Sequence, residues 1–113
     1  MDAGSNPAKG SDNPPTLYVV VRKDLPFAQI AVQAIHAATI SISEPVPENL
    51  HVVLCEARDE RHIHKIINRL TRKGVNIYVF KEPDIDNQVT AFASQIVTDR
   101  RTFKNLRLLS KEH

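Results

Sequence analysis

One cysteine, Cys55, stands in a chain of 113 residues. No internal disulfide can form, and nothing points to an oxidising compartment. Cys55 lies in a strand-like run, where it reads as a small core residue rather than a nucleophile. Glycine is also scarce: of three, Gly4 and Gly10 fall at the start, which leaves Gly74 alone in the rest of the chain. That excludes a G-x-G-x-x-G turn and a P-loop. There is no G-x-S-x-G, so an α/β-hydrolase serine is not expected. No apolar run is long enough for a bilayer, and the N-terminus lacks the basic-then-apolar layout of a secretion signal. The expected compartment is the cytoplasm, with no membrane partner. Charge of one sign is not in large excess, because 15 Lys and Arg against 13 Asp and Glu leave a net +2. His62-x-His64 sets two imidazoles about 200° apart on a helix, which is poor metal spacing. No metal site and no cofactor are expected.

What is present suits one globular domain. Hydrophobic residues make up 42% and charged residues 25%, the balance of a chain with a core. Residues 1–16 are rich in Pro, Ser, Asn and Gly and read as a disordered N-terminal tail. Residues 17–113 form the domain. A β-branched run at 17–22 predicts a strand covered on both faces. A helix follows from about 26 to 43, with Pro26 in its first turn and Glu44-Pro45-Val46-Pro47 ending it. Residues 51–56 predict a second strand.

A second helix spans 59–73. Asp59 can cap it, Ile63, Ile66, Ile67 and Leu70 give it one apolar face, and Gly74 ends it. Its other face carries Arg61, Lys65, Arg69 and Arg72. Such a ladder can follow a phosphate backbone, but a solvated face is the commoner meaning and the one favoured here. A third strand at 76–81, a loop at 82–87 and a fourth strand at 88–97 come next. Thr98 and Asp99 then open a short basic helix through Arg100, Arg101 and Lys104. Crossover helices imply parallel strands, and the short loop before strand four implies an antiparallel return. The expected fold is an α/β three-layer sandwich. Its mixed four-stranded sheet has three parallel strands and an antiparallel fourth, with helices on both faces.

The first helix holds the chemistry. It is mostly Ala, Ile and Val, so it is expected to be buried nearly all round. Gln29, Gln33 and His36, four and then three apart, fall on one stripe of it. Buried amides need partners. The stripe faces either a satisfied internal network, the better reading of the stripe alone, or an open cleft at the strand ends. Asp24 after strand one, Glu82 and Asp84 after strand three, and Thr90 in strand four would lie at that same edge. A carboxylate there can serve as a base or orient water.

Arg22-x-Asp24-Leu25, followed by Ile30-Ala31-Val32-Gln33-x-x-His36-Ala37-Ala38, resembles the opening of type II peptidyl-tRNA hydrolases. Their pattern is R-x-D-L, a loop, then G-K-[IV]-A-A-Q-x-x-H-A-A. The closing Leu106-x-Leu108-Leu109 is similar to the family's L-x-L-L. The resemblance implies a metal-free hydrolase that cleaves the ester between peptide and tRNA, with tRNA as partner. It implies a catalytic set of Gln33, His36, Asp24, Glu82 and Thr90. Gln29, Lys23, Arg100, Arg101 and Lys104 would meet substrate. The chain departs from the pattern twice. Ala28-Gln29 replaces the G-K pair, and Lys81-Glu82-Pro83-Asp84 replaces a D-A-G-R-T loop. Loss of the lysine removes a positive charge that would stabilise an oxyanion or a phosphate. The alternative is therefore an inactive relative that binds RNA or protein. A homodimer is left open.

Overall fold

The structure is a computed structural model that describes residues 13–110. The chain runs β1 (Thr16–Arg22), α1 (Phe27–Ser41), β2 (His51–Ala57), α2 (Glu60–Arg72), β3 (Ile77–Glu82), β4 (Gln88–Ser94) and β5 (Arg107–Leu108). Short 3₁₀ turns sit at Pro83–Ile85 and Arg101–Phe103. The expected boundary at residue 16 therefore falls inside β1. Thr16 opens β1 and exchanges backbone hydrogen bonds with Val97. Residues 1–12 lie outside the described residues.

The five strands are ordered β3-β4-β1-β2-β5. β1 and β2 pair in parallel, and β4 pairs antiparallel with both β1 and β3. Two features of the expected sheet need correction. There is a fifth strand, β5, paired antiparallel to β2 through Cys55 and Glu56; two residues are too short to carry a period. Also, β1, β2 and β3 point the same way but do not form a parallel block, because β4 is inserted between β3 and β1. The expected basic helix is only the 3₁₀ turn at Arg101–Phe103.

Every residue of β1 is buried. Its side chains alternate between two cores, as strand geometry requires. Tyr18 and Val20 join Ile63, Ile66, Leu70 and Phe92 on the α2 side. Leu17, Val19 and Val21 join Ile30, Ala37, Ala91 and Ala93 on the α1 side. α2 reads as its sequence predicts. Asp59 Oδ1 accepts from the His62 N–H at 2.9 Å, and Gly74 takes φ 89° just past the helix end, where L side chains are strained.

α1 does not match the expectation of a helix buried all round. Only Ile30, Gln33 and Ala37 are buried. Phe27 is 72% exposed and Ile35 65%, and Val32 and Ile40 are also exposed. The helix lies on one face of the sheet, and no further described element covers its outer side. Its apolar composition reflects the residues it carries, not the number of neighbours it has. No helix among the described residues is long and apolar enough to cross a membrane.

Candidate active-site cleft

Gln33 is 1% exposed and sits at the centre of a side-chain network. Its carbonyl oxygen accepts from Thr90 Oγ1 at 2.7 Å. Its amide nitrogen donates to Glu82 Oε1 at 2.7 Å and to Gln29 Oε1 at 3.0 Å. Both amide protons are therefore used, which fixes the orientation of the side chain. The network depends on the strand order. β4 brings Thr90 under α1, and β3 beside it ends on Glu82.

Glu82 is held from two sides. Oε1 takes the Gln33 bond, and Oε2 accepts from the Asp84 N–H at 3.2 Å as the chain enters its 3₁₀ turn. The Gln33 bond, then that N–H, outweigh desolvation, and His36 adds a smaller pull; together they hold the carboxyl below its ordinary 4.5. These groups line a cleft of about 280 Å³. Leu25, Pro26 and Ile85 give it apolar walls, Gln29, Glu82 and Asp84 are its polar groups, and Gln33 and Thr90 complete the lining. No lysine or arginine lines it.

The structure brings Gln29, Gln33, Glu82 and Thr90 together and places the other candidates elsewhere. His36 is exposed one turn beyond Gln33, its ring stacked on Phe80 at 4.4 Å and 9°. Asp24 is gripped by Arg22 through two bonds of 2.9 and 3.0 Å. Arg22, 7% exposed, also donates to Gln88 Oε1 and the Val89 carbonyl. That pair ties the end of β1 to the start of β4, just before Thr90. Sequence reasoning read Arg22 as part of a motif only; a charged residue closing an apolar strand two positions before an aspartate was its signal.

Lys23 points away from the cleft to Glu56 Oε2 at 3.0 Å. Burial pushes the Glu56 carboxyl up, but Lys23, the Ser110 N–H and Arg107 together bring it below its usual range. Arg100 donates to Thr16 Oγ1 at 2.9 Å, at the opposite end of β1. Arg101 is occupied by Asp99, whose carboxyl its side chain holds down to about 2. Lys104 is exposed beside them. The length of β1, roughly 20 Å at strand rise, separates this basic group from Glu82. Among the described residues no cluster of three or more His, Cys, Asp or Glu is placed to hold a metal ion.

No family model and no curated protein matches the chain. Among solved structures it is similar to a protein of unknown function from Agrobacterium tumefaciens strain C58. The TM-score is 0.59 at 15% identity, over 85% of this chain and 98% of the other. At that identity the likeness shows the fold alone.

The network gives a direct stability expectation. Thr90→Val keeps the shape but removes the proton that Gln33 Oε1 accepts. The buried carbonyl then loses its hydrogen bond from Thr90, at a cost of about 1–3 kcal/mol. Urea denaturation of the two proteins checks this. Equal midpoints would mean that the Thr90 bond adds nothing to the fold.

Proposed function

We propose that the cleft is an ester-hydrolase site of the peptidyl-tRNA hydrolase type, releasing a peptide or blocked amino acid from tRNA. One observation carries this reading. A carboxylate, Glu82, is held at 2.7 Å by a fully engaged buried amide, Gln33, on the wall of a cleft. Chemistry on an ester needs a base for water and a donor for the carbonyl oxygen. Glu82 takes a proton from water as the water oxygen attacks the ester carbonyl carbon. The Nε2 of Gln29, whose oxygen is turned to Gln33, donates to the developing oxyanion. Collapse breaks the bond to the ribose oxygen, which leaves with the proton that Glu82 returns. Gln33 and Thr90 are positioning residues that keep the carboxylate aimed.

The test is single-turnover hydrolysis of an N-blocked aminoacyl-tRNA, corrected for spontaneous loss. Turnover above background is expected. Its pH profile follows from Glu82. The base form is the active one, and the Gln33 bond, then the Asp84 N–H, hold its pKa below the ordinary glutamate value. The rate should therefore hold as pH falls from neutral and drop only at a pH lower than an ordinary glutamate would give. An acid limb near about 6.5 would assign the proton to an imidazole instead. No hydrolysis at high protein concentration would remove the hydrolase reading.

One observation favours a second reading. The cleft has no cation to meet a phosphate or an oxyanion. A relative that binds RNA or protein without turnover fits that absence, and salt-dependent tRNA binding with no hydrolysis would select it.

A further inference from the structure

The opposite face of the sheet carries a second concavity. Along α2 a groove of about 510 Å³ is lined by Arg58, His62, Lys65, Asn68, Arg69 and Arg72, with Ile66 at its floor. The basic positions recur at intervals of four, three, four and three. From His62 to Arg72 the helix rises about 15 Å. No carboxylate lines this groove. None of its four lysine and arginine side chains takes part in an ion pair among the described residues. A smaller cavity of about 230 Å³ continues it past Arg58, His62 and Arg69 to Asn105 and Arg107. The one acid there, Glu56, is occupied by Lys23 and the Ser110 N–H.

Arg69 supplies the second observation. Its Nε and Nη2 atoms are buried and have no hydrogen-bond partner. This is the edge with which Arg22 holds Asp24 and Arg101 holds Asp99. It is a fork suited to two oxygens of a carboxylate or phosphate. Leaving it empty and desolvated is costly. Both nitrogens are closed to solvent here, so a ligand reaches them by a rotation of the Arg69 side chain. His62 adds a donor. Its Nδ1 accepts from the Arg58 N–H at 2.9 Å, so the neutral ring carries its proton on Nε2. Burial, then Arg58, lower the pKa of this imidazole, with Lys65 and Arg69 adding to the effect.

We propose that the α2 groove binds the phosphodiester backbone of a base-paired nucleic acid, gripped by Arg58, Lys65, Arg69 and Arg72. The length of the cationic row suits a repeating anion better than a lone one. The groove has no Phe, Tyr or Trp ring on which unpaired bases would stack, and its one imidazole, His62, is tied by Nδ1 to the Arg58 N–H. Contact is to the backbone, so it positions the duplex without reading sequence. This does not rest on the hydrolase reading, since cleft and groove lie on opposite faces of the sheet.

The test is fluorescence anisotropy of the full chain with a labelled RNA duplex, a DNA duplex of equal length and a single strand. Duplex binding that weakens steeply between about 50 and 200 mM salt is expected. Binding of both duplexes alike would assign the shared backbone, and preference for RNA would assign its sugar edge as well. Lys65→Gln combined with Arg72→Gln, both exposed positions, should weaken binding at least about tenfold. It should also make the salt slope shallower by about 2. A thermal melt confirms folding; if that variant does not fold, Arg58→Gln, outside the helix, should weaken binding and make the salt slope shallower by about 1. Stronger binding of the single strand, or equal competition by polyglutamate, would overturn the proposal. So would an unchanged affinity in the groove variants with a loss in Arg101→Gln combined with Lys104→Gln. Hydrolysis is not measured, so a silent cleft and a silent groove are told apart.

Discussion

Glu82→Gln should lower single-turnover ester hydrolysis by about a hundredfold or more, the usual contribution of a positioned base. The change removes a charge and almost no volume. Gln33 Nε2 can still donate to the new side-chain oxygen, so the network on that side survives. The cost falls on the other side, where the Asp84 N–H, now bonded to Glu82 Oε2 at 3.2 Å, faces an amide. That bond is exposed, so its loss is a small effect on stability. The rate constant should therefore fall while substrate affinity and melting temperature change little. A rate equal to the parent's would remove Glu82 as the base. A loss of affinity with an unchanged rate constant would make it a binding group.

The largest stability effect is expected from Phe92→Ala. Phe92 is fully buried, lies opposite Val20 in β1 and Val79 in β3, and joins Ile63 and Leu70 in the core beneath α2. Truncating such a ring leaves a cavity and costs about 3–5 kcal/mol. That is a large part of the 5–15 kcal/mol that typically holds a domain together. For a domain of this size the melting temperature should fall by roughly 12 °C or more. The matched control is Phe27→Ala, at a side chain 72% exposed on α1, which should stay within about 0.5 kcal/mol of the parent. Denaturation of both variants decides. Similar losses would mean that the outer face of α1 is covered after all.

Some of this architecture can be read from the residues and some cannot, for physical reasons. α2 is legible because Asp59, its apolar spacing and Gly74 are local signals that agree. The stripe of Gln29, Gln33 and His36 is legible for the same reason. Its two halves have different surroundings, however. Gln29 and Gln33 meet in the cleft, while His36 lies on Phe80. The bond from Gln33 to Glu82 cannot be read locally, since it depends on β4 entering between β3 and β1. Composition misleads for α1, because apolar residues say nothing about whether a further layer exists. Arg100, Arg101 and Lys104 follow strand four in sequence, but an antiparallel β4 delivers them to the far edge of the sheet. From sequence alone the ladder on α2 reads as a solvated face. What a linear pattern cannot show is that Lys65, Arg69 and Arg72 join Arg58 and His62 in a groove that Arg61 does not line, with an unpaired guanidinium edge in its wall.

The insertion of β4 also bears on the order in which the molecule assembles. β3 and β4 are joined by a short turn and can zip together early as a hairpin, because little loop entropy is lost. That hairpin already contains Glu82 and Thr90. Gln33 must arrive from 49 and 57 residues away along the chain to reach them. Contacts of such separation form late in most folding routes. A nascent chain therefore carries an acid and a hydroxyl on a finished hairpin before Gln33 has joined them in the cleft. On the proposed hydrolase reading, chemistry would start only when α1 docks, and an incompletely folded copy would be inert toward the ester.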